Sequence, residues 1–137
     1  MRHLRWTTLI AALALAVSGC ANSGNSHSTL AGVYTAEQAA HGKDVYAASC
    51  ISCHAGMGNH TGPVFRIRWG GYSLQELNSF ISTNMPKNDP GTLSPDDYIA
   101  VIAYLMQLNK MPAGKTALPV DTTALKAIIY DTVAAKP

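Results

Sequence analysis

Apolar residues recur at helical spacing in three stretches of the chain, and each stretch follows a residue that can cap a helix. Thr35 opens a Thr-x-x-Gln capping box, and the apolar face behind it reaches the cysteine-containing segment 50–54. Ser73 opens a second capping box and a helix to about residue 83. Ser94, followed by a proline and two acidic residues, starts a third helix to about residue 108. The pattern predicts an all-α protein with three to four core helices.

Glycine and proline separate these helices, which predicts loops over residues 55–71 and 84–93. Residues 111–137 form a short C-terminal extension for which the sequence suggests no role. A last helix fits residues 122–133, although Ile128-Ile129-Tyr130 also suits a strand.

The N-terminus has the form of an export signal. Two arginines precede an apolar run of about a dozen residues, which is too short for a membrane span of about 20 residues. Val17-Ser18-Gly19-Cys20 resembles a bacterial lipobox, in which the cysteine becomes the lipid-modified N-terminus. We therefore expect residues 1–19 to be a lipoprotein signal peptide and Cys20 to be the site of lipid attachment. An ordinary signal peptide with a chance cysteine is the alternative.

The segment after the signal is rich in Ser, Asn and Gly, so residues 20–34 are predicted to be a flexible tether before a folded domain at 35–110. Two of the ten basic residues, Arg2 and Arg5, lie in the signal, and the remaining eight balance the eight acidic ones. A mature chain near neutrality gives no electrostatic reason to expect a nucleic-acid partner.

Cys50-Ile51-Ser52-Cys53-His54 has the C-x-x-C-H form of a haem-attachment segment. Residues three apart on a helical turn lie on one face, with Cβ atoms about 5–6 Å apart. Two thiols at that separation can each add to one vinyl group on the same edge of a porphyrin, and the histidine that follows can bind its iron. The sequence therefore predicts one haem c, held covalently by Cys50 and Cys53 and ligated by His54.

Three other kinds of site use cysteines at this spacing. A zinc site needs a further Cys or His pair, and His41 and His60 are not spaced as one. A thioredoxin-like redox pair belongs to a βαβ pattern, and no convincing strand precedes Cys50. A disulfide between Cys50 and Cys53 would close a very short, strained loop. Covalent haem is favoured over all three.

The candidates for the sixth iron ligand are Met57, Met85, Met106, Met111, His41 and His60. Met57 is tethered close to the motif histidine, on the same side of the ring. Met106 and Met111 lie in the third helix or just past it, where methionine is more often core filler. Met85 lies in a loop, before a proline, that can fold over the opposite face. We expect His54 and Met85 to be the axial ligands, with a second histidine or an open site as alternatives.

Over residues 35–108 the chain resembles a class I cytochrome c. In that family a first helix with a glycine and an aromatic residue leads into the haem motif, and Gly42 and Tyr46 stand in those places. A C-terminal helix crosses the first one there, and Val101 and Tyr104 match its contact residues. The resemblance implies a small class I cytochrome c fold in which Gly42 packs against Tyr104.

The resemblance also implies further cofactor-binding residues. The family's loop proline accepts the histidine ring N–H on its backbone carbonyl, and Pro63 would be that acceptor. Arg66, Arg68 and Trp69 fall where similar proteins approach the haem propionates, so an arginine or the indole N–H could hold a carboxylate. A solvated arginine pair and a core tryptophan is an equal alternative.

A haem with both axial positions filled has no site for substrate, so the expected function is an electron carrier rather than an enzyme. Its redox partners would be a dehydrogenase, a quinol-oxidising complex or a terminal oxidase. The alternatives are a haem peroxidase or gas sensor with a displaceable sixth ligand, and a fixed subunit of a dehydrogenase complex.

The signal predicts a location on the periplasmic side of a bacterial membrane. Ala21 stands where an aspartate would favour retention in the inner membrane, so the sequence weakly favours the outer membrane.

Overall fold

The computed structural model describes residues 27–56 and 58–132, and most of this part of the chain is α-helical. Its elements are β1 (His27–Ser28), a 3-10 turn (Thr29–Ala31), α1 (Ala36–Ser49), α2 (Ile51–His54), α3 (Gly62–Trp69), α4 (Leu74–Asn84), α5 (Pro95–Leu108), α6 (Thr122–Lys126) and β2 (Ile128–Ile129). The predicted all-α class is confirmed, with one two-stranded sheet added. None of these helices is long and apolar enough to cross a bilayer. The predicted signal peptide, Cys20 and Met57 lie outside the described residues.

The first residues of three helices are capped by the side chains that the sequence predicted. Oγ1 of Thr35 accepts a hydrogen bond from the N–H three residues further on, at 3.1 Å. Ser73 and Glu76 form a complete capping box, in which each side chain accepts from the backbone N–H of the other, at 3.3 and 2.8 Å. The bond from the Ser73 N–H, together with one from the Ser73 hydroxyl at 2.8 Å, holds the pKa of the Glu76 carboxyl below its ordinary value. Ser94 caps α5 in the same way as Thr35 caps α1. The three predicted helix starts are confirmed.

Helices α1 and α5 cross in backbone contact at Gly42. A Cβ atom on this residue would lie 1.8 Å from the carbonyl oxygen of Ala100, so only glycine lets the helices approach this closely. One turn further along α1, the ring of Tyr46 packs on that of Tyr104, with centroids 5.5 Å apart. Residues 98–106 of α5 are all buried, which makes this helix the centre of the core. The expected crossing is present, but Gly42 meets the backbone of Ala100, and Tyr104 meets Tyr46 instead.

The segment 55–71, whose glycines predict a loop, contains helix α3. Pro63 occupies the first turn of this helix, where proline is favoured because its missing N–H would have no partner. Phe65 and Trp69 lie four residues apart on one face and are only 2% and 7% exposed. The prediction of a loop over the whole segment is wrong. Two buried aromatic rings on one face stabilise a helix here, although the many glycines of the segment favour a loop.

The N-terminal segment 27–34 packs on the domain, so the predicted tether over residues 20–34 does not extend this far. β1 pairs in parallel with β2. Thr29 and Tyr34 are 0% and 1% exposed, and the Tyr34 hydroxyl donates to the carbonyl of Met111 at 2.7 Å. The polar composition predicted a flexible segment, but Thr29, Tyr34 and the pairing of β1 with β2 hold it on the core.

The C-terminal extension is also part of the domain as far as residue 132. The hydrophobic core includes Met111, Leu118, Leu125, Ile128 and Tyr130. The Gln38 side chain makes two hydrogen bonds with the Leu118 backbone, at 3.0 and 2.8 Å. The last helix is shorter than predicted and ends at Lys126, and Ile128–Ile129 form the strand that was the alternative. The domain is therefore larger than residues 35–110.

Replacing Gly42 with alanine should lower the free energy of unfolding. Alanine favours a helix by about 1 kcal/mol over glycine, but its Cβ must displace the α5 backbone. Overpacking of a core costs typically about 1–3 kcal/mol, so we expect a net loss of stability. Ala47→Val adds more volume on the exposed face of α1 and should change stability less. Denaturant unfolding measures both variants, and equal stabilities would contradict this close crossing.

Candidate haem site

A cleft of about 540 Å³ opens between the helices. This volume lies within the range of about 300–1,000 Å³ that is common for ligand pockets. Its walls are mostly apolar and come from three helices, namely Phe65 and Trp69 of α3, Leu77 and Ile81 of α4, and Val101 and Leu105 of α5. The same cleft is bordered by the cysteine motif at the end of α1 and by the loop after α4.

The end of α1 brings the cysteine motif to this cleft. Cys50 closes α1 by donating its N–H to the carbonyl of Tyr46 at 2.9 Å. The chain turns directly into α2, where the N–H groups of Cys53 and His54 both donate to the Cys50 carbonyl, at 3.1 and 3.0 Å. This one turn brings both thiols and the His54 side chain to the cleft. The helical turn that the C-x-x-C-H spacing predicts is therefore present.

Cys50 and Cys53 are both free thiols. Burial raises the pKa of the Cys50 thiol. A redox-active Cys-x-x-Cys pair depends on a thiol whose pKa is lowered, so the raised pKa of Cys50 argues against disulfide exchange. Within residues 27–56 and 58–132, no group of three or more His, Cys, Asp or Glu side chains could hold a metal ion.

Met85 reaches the same cleft from the end of α4. Its N–H donates to the carbonyl of Ile81 at 2.8 Å, and its own carbonyl accepts from the Tyr98 hydroxyl of α5 at 2.9 Å. The backbone at Met85 is extended, so the chain leaves the helix at this residue. The fold thus brings His54 and Met85, the two predicted iron ligands, to one cleft although they lie far apart in sequence.

Other candidates for the sixth ligand lie away from the cleft. Met106 and Met111 are 0% and 3% exposed and belong to the hydrophobic core. His41 lies on the surface of α1, with Nε2 2.8 Å from a carboxylate oxygen of Asp97. Of the methionines that the structure describes, only Met85 lines the cleft.

His60 does line the cleft, but it lies beside His54. The centroids of the two rings are 4.2 Å apart. The Tyr46 hydroxyl forms hydrogen bonds with both residues, with the His54 carbonyl at 3.3 Å and with Nδ1 of His60 at 2.9 Å. Burial, and then the neighbouring His54, lower the pKa of His60. Tyr46 therefore fixes the chain on the histidine side of the cleft.

Asn109, which sequence reasoning missed, holds the loop that follows the motif. It is 2% exposed, and its amide donates to the carbonyls of His60 and Leu105, both at 2.8 Å. Its side-chain oxygen accepts from the Gly62 N–H at 3.1 Å. Tyr98, which holds the Met85 loop, was missed as well. The only sequence signal for either residue is a polar group at one end of an apolar helix.

Two of the three residues expected near the propionates, Arg68 and Trp69, line the cleft. The guanidinium of Arg68 lies 5.3 Å from the ring centroid of Trp69 and 4.9 Å from that of Phe80, within range of cation–π attraction. Arg66 and Pro63 do not line the cleft and border a separate, more open depression. The role of the Pro63 carbonyl as an acceptor for the motif histidine stays a prediction.

The side chains around the cleft fit a haem. Two free thiols one helical turn apart, the imidazole after the second thiol, and a methionine sulfur would supply the attachment points and axial ligands of a c-type haem. The apolar walls suit a porphyrin ring. The charged Lys and Arg side chains among the described lining residues are Lys87 and Arg68, which suit the propionate carboxylates, and no Asp or Glu lies among them.

Small all-α domains with this motif turn beside an apolar cleft are c-type cytochrome domains, which bind haem and exchange electrons with redox partners. Residues 37–105, just over half of the 137-residue chain, match the family described as cytochrome c oxidase, cbb3-type, subunit III. The chain belongs to this family. The matched range runs from α1 into α5, so the two terminal segments packed on the domain lie outside it. No curated protein and no solved structure matched the chain.

Proposed function

We propose that this protein is a lipid-anchored electron carrier with a single haem c. Cys50 and Cys53 would hold the haem covalently, and His54 and Met85 would be the axial ligands. The observation that carries the proposal is that these four side chains line one apolar cleft, although they come from two separate parts of the chain. The haem supplies the chemistry, since its iron takes up and releases one electron at a time.

The chain's own residues would hold the iron in one coordination state and exclude water. His54 and Met85 would fill both axial positions, which would leave no place for a substrate and would raise the potential relative to two histidines. The apolar walls from α3, α4 and α5 lower the polarity around the site, which is a second control on the potential. These features support an electron carrier rather than an enzyme.

A haem peroxidase or gas sensor would need a displaceable sixth ligand and polar groups on that side of the haem. Besides His54, the histidine among the described lining residues is His60. Its ring lies beside His54, the proposed ligand on the other side, and Nδ1 already contacts the Tyr46 hydroxyl. This placement favours the carrier over the catalytic alternative.

Lipid at Cys20 would hold the domain close to a membrane. The first described residue, His27, lies seven residues after Cys20, and an extended chain of this length spans at most about 25 Å. A domain held so close would meet membrane-bound partners at a raised effective concentration. We infer a periplasmic location, with the outer membrane favoured by Ala21. A dehydrogenase, a quinol-oxidising complex or a terminal oxidase would be the partner, and the protein could also be a fixed subunit of a dehydrogenase complex.

Covalent attachment predicts that changing both thiols removes the haem. Cys50→Ser with Cys53→Ser should give protein without haem staining after denaturing electrophoresis. Ser52→Ala changes an exposed residue between them and should keep the stain. Because haem would fill the cleft, the double variant should also lose much of its resistance to proteolysis. A double variant that retains haem through denaturing electrophoresis would refute thioether attachment.

The axial assignment predicts that Met85→Ala leaves the sixth coordination position of the iron open. The reduced variant should bind carbon monoxide, lose the Met–iron charge-transfer band in its oxidised form, and have a lower reduction potential. Met106→Leu removes a methionine that lies in the core and should leave all three properties unchanged. Wild-type protein that bound carbon monoxide as readily as Met85→Ala would instead support a gas-binding or catalytic haem.

Lipid anchoring predicts that Cys20→Ser, given a signal that can still be cleaved, releases a soluble holoprotein. Its spectrum and potential should equal those of the wild type, because Cys20 precedes the folded domain. Electron transfer to a membrane partner should slow at low expression and recover when the soluble protein is abundant. Mass spectrometry of the wild-type N-terminus gives the direct check, and any mature N-terminus other than acylated Cys20 would rule out the anchor without affecting the haem assignment.

A further inference from the structure

The loop that carries Met85 is fastened to α5 through one buried hydroxyl group. Tyr98 is 5% exposed, and its hydroxyl donates to the carbonyl of Met85 at 2.9 Å and accepts from the N–H of Gly91 at 3.0 Å. A single oxygen atom thus holds the two ends of the loop 85–91. Among the described residues, these are the two hydrogen bonds that tie this loop to α5.

The N–H of Met85 also donates to the carbonyl of Ile81 near the end of α4, at 2.8 Å, and the other hydrogen bonds lie within the loop. The N–H of Asp89 donates to the carbonyl of Pro86 at 2.9 Å, and the hydroxyl of Thr92 donates to the carbonyl of Asp89 at 2.8 Å. Residues 87–92 are exposed. The part of the loop beyond Met85 is held mainly by bonds to itself and can move as a unit, because exposed backbone bonds of this kind open at low cost.

The position of Tyr98 suits it to fix this loop. It lies in the first turns of α5, the helix whose residues 98–106 are all buried and which crosses α1 in backbone contact at Gly42. The tyrosine ring is therefore held by a buried stretch of α5, and its hydroxyl holds the loop in place relative to that helix.

We propose that Tyr98 is a positioning residue that keeps the Met85 sulfur at the iron by holding both ends of its loop; this rests on the axial ligation proposed above. Tyr98 itself does not reach the cleft lining. Its effect is on the equilibrium between a closed loop, with methionine at the iron, and an open loop that admits another ligand. Removing its hydroxyl raises the population of the open loop and with it the apparent affinity for an added ligand.

The test uses Tyr98→Phe holoprotein and titration of the oxidised form with imidazole. The phenylalanine ring keeps the packing and removes both hydrogen bonds. Two neutral hydrogen bonds correspond to a rise of about tenfold in apparent imidazole affinity. The Met–iron charge-transfer band should disappear at correspondingly lower imidazole concentrations.

Tyr34→Phe is the matched control. Tyr34 is a tyrosine of similar burial, 1% exposed, whose hydroxyl donates to the backbone carbonyl of Met111 at 2.7 Å, and neither residue lines the cleft. It should lower overall stability, as any lost buried hydrogen bond does, without changing the imidazole affinity.

Amide hydrogen exchange gives a second measurement that does not depend on the iron ligand. In the wild-type protein the N–H of Gly91 should exchange more slowly than that of Asn88, which makes no hydrogen bond among the described residues. In Tyr98→Phe the Gly91 amide should exchange about tenfold faster. Equal protection of the two amides in the wild type would overturn the proposal without any variant.

The remaining outcomes separate this inference from the proposed function. If Met85→Ala raises imidazole affinity but Tyr98→Phe behaves like Tyr34→Phe, the ligation stands and the role of Tyr98 is overturned. If Met85→Ala leaves imidazole binding unchanged, Met85 is not the ligand, and the role of Tyr98 in holding it fails as well.

Discussion

The direct contact between the backbones of α1 and α5 at Gly42 sets the dimensions of the site. Because no Cβ separates the helices, the position of α5 relative to the end of α1 is fixed by backbone atoms rather than by flexible side chains. The cysteine motif begins where α1 ends, and α5 carries Tyr98 near its start and Asn109 at its end. The positions of two loops on the cleft thus depend on one helix crossing, and the proposed haem ligands lie in or beside those loops.

Buried polar side chains on α5 hold the neighbouring loops in fixed positions. Irregular segments leave backbone N–H and carbonyl groups without the partners that helices supply, and a buried side chain can supply them instead. Asn109 does so for the loop at His60 and Gly62, and Tyr98 does so for the loop at Met85. Each is attached to α5. The two irregular segments beside the candidate haem site are therefore both held in place by residues of one helix, α5.

The sequence predicted those features whose causes are local. Helix starts depend on caps within four residues, and the C-x-x-C-H spacing depends on one helical turn, so both could be recognised without the fold. Helix α3 depends on burying Phe65 and Trp69 against other elements, and the positioning roles of Tyr98 and Asn109 depend on loops distant in sequence. The same limit explains the domain boundaries, because a polar composition at residues 27–34 does not reveal that Thr29 and Tyr34 are buried.

The terminal segments connect the proposed membrane anchor to a wall of the cleft. β1 begins at His27 and pairs with β2, and the next residue, Tyr130, packs its ring against Phe65 of α3 with centroids 5.6 Å apart. Phe65 in turn lines the cleft. A tether that enters at β1 therefore joins the domain through a short series of packed residues that ends beside the haem site. A tether of about 25 Å would keep the domain close to the membrane, and a fixed membrane complex would then meet the carrier at a raised effective concentration.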